Sequence, residues 1–392
     1  MTPGLWLRLC GLGATAAAAA TVASGSLGIA HLALAAIALP PLVAVVIAAW
    51  QAHPRLLPWA LASLVSFLVA IGTWWAGAVH VAAAAVALAV IAVSTAQLFR
   101  GERVPAGSWR DYVTLTKPRF MSLLLLTGAC GMFVGAGEVP NLADLAALLV
   151  GLALACGGAS ALNHVLDADI DKLMGKRTRS RPVATGRIAP ERALEFGLAL
   201  SALSFALLAT FTNVLTAVLA LVGNLFYVLV YTRWLKRTTP QNIVIGGAAG
   251  AVPPLVGWAA ATGDLTLPAL ALFAIVFFWT PPHFWALALL IKRDYQAAGI
   301  PMLPVVRGER ETVRQILLYT IVLIAVTLVP VAFGMFGALY LVAAVALGSA
   351  FLWLAWRLRR ELVPARAAVL FHYSLAYLAL LFVAMAVDPL IA

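Results

Sequence analysis

Thirteen long apolar runs divide this 392-residue chain, and each is close to the length that a helix needs to cross a bilayer. About 20 apolar residues span the hydrocarbon core, where only helices or closed barrels satisfy the backbone polar groups. Charged residues make up only 10% of the chain, whereas a soluble domain carries about 25%. The sequence therefore predicts an all-α, polytopic membrane protein. The runs are 10–30, 32–50, 57–77, 79–98, 120–137, 142–162, 191–211, 214–232, 242–261, 268–291, 314–334, 337–356 and 368–388.

Basic residues occur in every second loop of this pattern. Lys and Arg are frequent in loops such as 100–119 and 172–192. The intervening loops contain neither residue, and they lie near positions 31, 78, 138, 213, 264 and 335. Because cytoplasmic loops carry the excess of Lys and Arg, we expect a cytoplasmic N-terminus and a plasma or inner membrane location. The same basic loops account for the net charge of +11, so this charge does not indicate a nucleic-acid partner.

A polar stretch at 100–119, RGERVPAGSWRDYVTLTKPR, separates the first four apolar runs from the last nine. It predicts two units, a four-helix transmembrane unit at 1–105 and a nine-helix unit at 106–392. We find no sequence repeat that relates one unit to the other.

The sixth run ends in a cluster of carboxylates and basic residues, NHVLDADIDKLMGKRTRSRP. A spacing of four places Asn163, Asp167 and Asp171 on one helical face, whereas Asp169 falls about 200° away. Hard oxygen ligands suit Mg²⁺, which commonly takes one or two carboxylates together with phosphate oxygens. The basic residues that follow are Lys172, Lys176, Arg177, Arg179 and Arg181. This combination favours a Mg²⁺–diphosphate site over the alternative, a solvated cluster of loop charges.

Two further polar sets follow later runs on the same predicted side of the membrane. The eighth run ends in YTRWLKRTTPQN, which supplies Tyr231, Lys236 and Arg237. The tenth run contains a proline pair followed by His283, and Asp294 comes just after it. An ionisable group within a membrane segment, such as His283, is by default a functional candidate. Taken alone, the basic set at 231–237 also fits an ordinary positive-inside loop.

Three blocks of the sequence resemble the UbiA superfamily of intramembrane prenyltransferases, and more narrowly its haem-farnesylating branch. They are NHVLDADIDKLMGKRTRSRP, YTRWLKRTTPQNIVIGGAAGAVPPLVGW and WTPPHFWALALLIKRDYQAAGIPMLPVV. A weaker tail, FHYSLAYLALLFVAMAVD, also fits, so the resemblance covers about 112–390. The first block alone would admit quinone or chlorophyll prenyltransferases, whereas the other two are typical of the haem branch.

This resemblance implies a nine-helix bundle around a lipid-facing cavity, with farnesyl diphosphate and haem B as substrates. It implies that Asp167 and Asp171 hold Mg²⁺ on the diphosphate, and that Asn163 and Asp294 are further catalytic residues. A haem vinyl group then attacks the allylic cation, and water completes the hydroxyethylfarnesyl substituent. The second DxxxD motif of the superfamily is reduced to Asp294, because Ala298 stands four residues on. The residues implied to neutralise the diphosphate are Lys172, Arg177, Arg181, Lys236 and Arg237, and the candidate cavity residues are Tyr231, Trp279, His283, Phe284 and Trp285.

The first four runs contain two intramembrane histidines, His31 and His80. By the predicted topology they lie at the outer ends of the second and fourth helices. Two imidazoles at one depth can ligate one haem iron, and this arrangement resembles half of haem A synthase. It implies a bound haem in 1–105, and haem A synthase or cytochrome oxidase assembly factors as partners. The alternative is a pair of interfacial histidines that face lipid headgroups.

Two other functions stay open. A UbiA-type prenyltransferase that acts on an aromatic or quinone precursor would differ only in its acceptor. A transporter would place ionisable sites near the bilayer midplane among broken helices, whereas this chain gathers its carboxylates at one membrane face.

The string IGGAAGA in the ninth run carries Gly246 and Gly250 at small-xxx-small spacing. This spacing predicts that another helix packs closely against both glycines.

Overall fold

The computed structural model describes Pro105 and residues 107–391. The predicted unit 1–105, with His31 and His80, therefore lies outside the described residues except for Pro105, and its haem site stays a prediction. Within the described part, helices are the only regular elements, and nine are long and apolar enough to span a membrane. They are α1 Pro118–Ala136, α2 Leu142–Leu166, α3 Pro190–Phe211, α4 Val214–Thr238, α5 Asn242–Thr262, α6 Leu267–Leu290, α7 Gly308–Ala332, α8 Ala338–Arg360 and α9 Pro364–Ile391.

The nine predicted runs after the polar stretch are confirmed, and their limits differ from the helices mainly at the basic ends. The helix α7 begins at Gly308 rather than 314, and α8 ends at Arg360 rather than 356. Arg and Glu are good helix formers, so the backbone ladder continues past the point where the apolar run stops. Five short helices connect the long ones at this side, Trp109–Thr116, Ala168–Asp171, Lys176–Arg179, Lys292–Ala297 and Leu303–Val306.

The outer surface of the long helices is apolar. Large side chains such as Val222, Leu229, Val342 and Trp353 stand largely exposed along these helices. A surface of this kind is unfavourable in water but suits the acyl chains of a bilayer. The chain is therefore a multi-pass membrane protein.

Consecutive helices pack side by side, and the last helix returns to the first. The helix α9 contacts α1, α6 and α8, while α5 packs tightly along α1. One core forms among α6–α9 around buried rings such as Tyr340, Phe351 and Tyr377. A second core forms among α1–α5 around Leu148, Leu208 and their neighbours. The loops that follow α2, α4 and α6 all reach the same end of this bundle.

The closest helix crossing joins α1 to α5. A Cβ at Gly257 would overlap the carbonyl oxygen of Gly128, and one at Gly131 would overlap the carbonyl oxygen of Pro254. The predicted close packing is confirmed for Gly246, which α4 approaches through Tyr231, and is wrong for Gly250. Gly246 makes room for the Tyr231 ring, and nothing lies within 4 Å of a Cβ at Gly250. Spacing alone could not tell which glycines of α5 face a neighbouring backbone.

At the opposite end, Asp388 of α9 joins the start of α8. Its carboxylate accepts hydrogen bonds from the backbone N–H groups of Gly337, at 2.5 Å, and Tyr340, at 3.0 Å. The first N–H groups of a helix lack partners within the helix and carry its positive dipole end. The described loops at this end contain no Lys or Arg. Backbone N–H groups, rather than a cation, thus stabilise the buried carboxylate of Asp388.

The crossing of α1 and α5 predicts different outcomes for two glycines of one helix. We expect Gly257→Ala to destabilise the protein by about 1–3 kcal/mol, because the methyl group overpacks the contact. Gly250→Ala should be neutral or slightly stabilising, because it meets open space and Ala favours a helix. Thermal unfolding of both variants in detergent measures the difference. Equal midpoints for the two variants would contradict this description of the crossing.

Candidate active site

Three polar segments meet at the basic end of the bundle. They are the end of α2 with the loop after it, the last turns of α4, and the residues just before α1. Asp167, Asp171 and Asn163 lie on the α2 side and are buried. The structure therefore brings together the carboxylates of one predicted set and the lysine of another.

Asp167 is the most deeply buried carboxylate of this group. It is fully shielded from solvent, and its Oδ2 accepts hydrogen bonds from Lys236 Nζ at 2.5 Å and Asn163 Nδ2 at 2.8 Å. Its Oδ1 has no hydrogen-bond partner, and Arg237 Nη2 lies 3.9 Å from it. A buried anionic oxygen with no donor is costly. This atom is therefore available to a further ligand.

Asp171 is held by Arg181. A single guanidinium nitrogen donates to both carboxylate oxygens, at 2.8 and 2.9 Å. Burial raises the pKa of Asp171, and the attraction of Arg181 opposes this shift without reversing it. Because its pKa is raised, Asp171 gains a proton at a higher pH than a free aspartate does.

Asn163 links these groups to two residues that the sequence did not single out. Its Oδ1 accepts a hydrogen bond from Lys117 Nζ at 2.9 Å, and its Nδ2 also donates to Thr232 Oγ1 at 3.1 Å. Burial, with the charges of Arg181 and Lys236, lowers the pKa of Lys117 to about 7. A half-buried amine, that of Lys117, thus joins the motif from 46 residues before the asparagine in the sequence.

The last turns of α4 reach the carboxylates through a π-helix, Phe226–Leu235. Long π-helices are rare, and short ones are common at functional sites. Thr232 and Lys236 are four residues apart on one face, and both meet the α2 motif. Tyr231, a predicted cavity residue, stacks on Tyr227 with ring centres 5.5 Å apart.

The remaining predicted diphosphate residues differ in position. Arg237 is engaged by Asp169 through two hydrogen bonds of 2.7 Å and by the carbonyl of Leu166 at 2.6 Å. The side chain of Asp169 is 64% exposed, as expected for a different helical face, and its pKa falls to about 2 because Arg237 donates to it. Lys172 is exposed. The side chain of Arg177 lies outside the described atoms.

Asp294 lies against the loop that follows the first carboxylates. A Cβ at Gly175 would overlap its carboxylate, so the absence of a side chain at Gly175 allows this approach. Next to it, Tyr295 is buried, and burial raises its pKa to about 12. The reduced second motif therefore reaches the same region as the first.

His283 sits in an aromatic stack that α6 shares with α9. Its ring lies between Trp279, 4.3 Å away, and Phe371, 4.8 Å away. Its Nδ1 is 2.7 Å from Ser374 Oγ, and that hydroxyl donates to the Phe371 carbonyl at 2.6 Å. Because the single hydroxyl proton is used there, Nδ1 must carry the proton of this pair. The lone pair of the neutral ring is then on Nε2.

The other predicted cavity aromatics do not share one position. Phe284 meets the edge of His283, with centres 5.1 Å apart. Trp285 packs edge-on against Tyr319 of α7 at 5.2 Å, and its buried indole N–H has no partner. Two residues along a helix from His283, Trp285 faces away from the stack.

His164 is a further residue that the sequence analysis passed over. It is buried beside Asn163, and neither ring nitrogen has a hydrogen-bond partner. The charges of Lys117, Arg181 and Lys236 act on it. A buried imidazole with two unpartnered nitrogens thus borders the cationic part of the site.

The burial of Asp167 predicts an asymmetry between two ion pairs. Lys236→Met should destabilise the protein by about 3 kcal/mol, because it leaves a buried carboxylate without its cation. Asp169→Asn, which ends an exposed pair, should cost less than about 1 kcal/mol. Thermal unfolding at neutral pH tests both. The double variant Lys236→Met, Asp167→Leu should recover stability, and a Lys236→Met protein as stable as the wild type would refute the buried pair.

Comparisons with known proteins agree with this fold. The model of the UbiA prenyltransferase family matches residues 124–385. A protoheme IX farnesyltransferase of Symbiobacterium thermophilum is 54% identical over 71% of this chain and 94% of its own length. A solved UbiA homologue from Archaeoglobus fulgidus, bound to GPP and Mg²⁺, is 18% identical, covers 70% of this chain and 99% of its own, and has a TM-score of 0.51.

Other relatives are longer than this chain. A protoheme IX farnesyltransferase of a Roseiflexus strain is 52% identical over 72% of this chain, but the match covers 53% of that protein. The chain thus spans about half the length of such relatives. The family model, the close relatives and the fold agree, and this chain belongs to the UbiA prenyltransferase family.

Proposed function

We propose that this protein transfers a farnesyl group from farnesyl diphosphate to a vinyl group of haem B, which yields haem O. The observation that carries the proposal is the buried pair Asp167 and Asp171, held among cations at one end of an apolar bundle. The names of relatives at about half identity, such as the Symbiobacterium enzyme, supply the acceptor and the prenyl group.

The carboxylates fit Mg²⁺. No group of three or more His, Cys, Asp or Glu in the described part is arranged to hold a metal alone. Mg²⁺ usually binds one or two carboxylates and completes its shell with phosphate oxygens and water. Asp167 and Asp171 would hold the ion, and the partnerless Oδ1 of Asp167 is a suitable ligand atom. When bound, Mg²⁺ neutralises charge on the departing diphosphate.

The cations that pair with these carboxylates are suited to the diphosphate as well. Lys236 and Arg181 hold Asp167 and Asp171 in the described state. When the carboxylates turn to a metal, both cations become available to phosphate oxygens. Charge that is prearranged in this way stabilises the leaving group without reorganisation during the reaction. Arg237 would stay paired with Asp169. We therefore propose that Arg237 positions the end of α2 and does not contact the diphosphate.

The reaction requires a dry space beside this charged end. The bond between the farnesyl C1 and the diphosphate oxygen breaks, and the vinyl group of haem forms a bond to C1. Water then adds to the resulting cation, and one proton is released. Aromatic faces such as Trp279 can stabilise a cation, and exclusion of water until the vinyl group attacks prevents loss of the farnesyl group. The Nε2 lone pair of His283 can accept the proton that the water loses.

The position of the site also indicates how the protein is oriented in the membrane. The basic loops and the carboxylates share one end of the bundle, and the positive-inside rule places such an end in the cytoplasm. We therefore place the diphosphate site on the cytoplasmic face of a plasma or inner membrane. The residues 1–105 supply none of the proposed ligands.

Three aspartates of one motif provide a matched test. Asp167→Asn and Asp171→Asn should each reduce farnesylation of haem at saturating Mg²⁺ by at least about a thousandfold, because each loses a hard anionic ligand. Asp169→Asn should stay within about threefold of the wild type, because its carboxylate faces outward. Product mass spectrometry of the purified variants gives the rates. Near-normal turnover by either of the first two variants would rule out the metal assignment.

The choice of acceptor separates this proposal from the quinone-type alternative. With farnesyl diphosphate and Mg²⁺ present, the purified protein should prenylate haem B and leave 4-hydroxybenzoate unchanged. The two acceptors are offered together, and each product is followed by mass. Prenylation of the aromatic acid with none of haem would move the protein to the other branch.

A further inference from the structure

Lys117 has an unusual backbone for a lysine. It is the one non-glycine residue of the described part with a positive φ, with φ 50° and ψ 57°. It ends the helix Trp109–Thr116 and directly precedes Pro118, the first residue of α1. A following proline favours extended backbone, and a left-handed residue other than glycine costs about 1–3 kcal/mol, a strain that clusters at functional sites.

The chain around Lys117 is fitted along one face of α2. The Thr116 side chain fills the space beside Gly157, 3.2 Å from where a Cβ would stand. The Leu115 carbonyl accepts a hydrogen bond of 2.6 Å from Ser160 Oγ. Lys117 Nζ reaches Asn163 at 2.9 Å. Contacts at 157, 160 and 163 follow the three-residue spacing of a helical face, so the strained turn is held in register with the motif.

This register determines the orientation of the Asn163 amide. The Lys117 amine donates to Oδ1, and only the oxygen of an amide side chain can accept such a bond. The two protons of Nδ2 then point to Asp167 Oδ2 and Thr232 Oγ1, at 2.8 and 3.1 Å. A flipped amide would set its oxygen against the carboxylate of Asp167. With the amide as it stands, Oδ2 of Asp167 is fully engaged and Oδ1 remains without a partner.

We propose that Lys117 is a positioning residue for the metal–diphosphate site, and that it acts through Asn163 to keep Asp167 Oδ1 turned to the ligand. The left-handed conformation of Lys117, just before α1, places this amine at the motif. This inference rests on the proposed function, because it assumes that Asp167 takes part in binding a prenyl diphosphate with Mg²⁺.

A binding measurement tests it without turnover. Purified full-length protein is titrated with Mg²⁺ at fixed farnesyl diphosphate, and the thermal shift gives the half-saturating Mg²⁺ concentration. We expect Lys117→Met to raise that concentration about 10- to 100-fold, the usual effect of losing a residue that orients a metal ligand. Lys117→Gly relieves the backbone strain but lacks the amine, so it should show the same rise. If Lys117→Gly binds like the wild type, the residue serves the turn only and the proposal fails.

A double-mutant cycle tests whether the effect passes through Asn163. In an Asn163→Ala background, Lys117→Met should change the half-saturating concentration by less than about twofold, because residues that act in one chain are not additive. Multiplicative losses would overturn the proposal. A wild-type protein with no Mg²⁺-dependent shift would instead reject the metal–diphosphate function itself. If the wild type shows the Mg²⁺-dependent shift and Lys117→Met has the same half-saturating concentration, only the role of Lys117 is rejected.

Discussion

The ion pair of Asp167 and Lys236 is the interaction on which the rest of the site depends. A carboxylate that is fully buried at the end of an apolar bundle must be balanced by a cation and hydrogen bonds. Lys236 supplies the charge from α4, and Asn163 supplies a donor from the same helix as Asp167. Lys236 and Thr232 are four residues apart at the end of α4, and both reach the α2 motif from one side. The buried carboxylate of Asp167 therefore links the packing of α2 and α4 to the geometry of the site.

Much of this architecture was readable from the sequence, for physical reasons. A spanning helix must be apolar throughout, so the nine helices of the described part follow directly from hydropathy, and alternate basic loops give their common end. The four-residue spacing of Asn163, Asp167 and Asp171 put them on one face, and Asp169 on another. What the sequence could not give depends on backbone geometry. No local pattern announces a π-helix or a left-handed lysine, so Thr232 and Lys117 were missed. Gly250 of α5 was misread because spacing does not identify which glycine faces a neighbouring helix.

The described part combines two environments that the proposed reaction requires. At its basic end, cations and carboxylates balance each other, and a diphosphate with its metal can replace those pairings without leaving buried charge unpaired. Between α6 and α9, His283 is stacked between Trp279 and Phe371 and fixed by Ser374. In the proposed reaction the first environment favours departure of the diphosphate, and the aromatic rings of the second stabilise the allylic cation. A soluble protein would have to bury both from water, whereas here the bilayer shields the apolar walls.

The central claim is that the farnesyl group goes to a haem vinyl group and that water completes the product. The most direct test incubates the purified protein with haem B, farnesyl diphosphate and Mg²⁺ in ¹⁸O-labelled water, followed by mass spectrometry of the porphyrin. We predict a haem that has gained one farnesyl group and one labelled hydroxyl oxygen, with diphosphate released in equal amount. A haem that stays unmodified while farnesyl diphosphate is consumed, or a farnesylated haem without the label, would contradict the account.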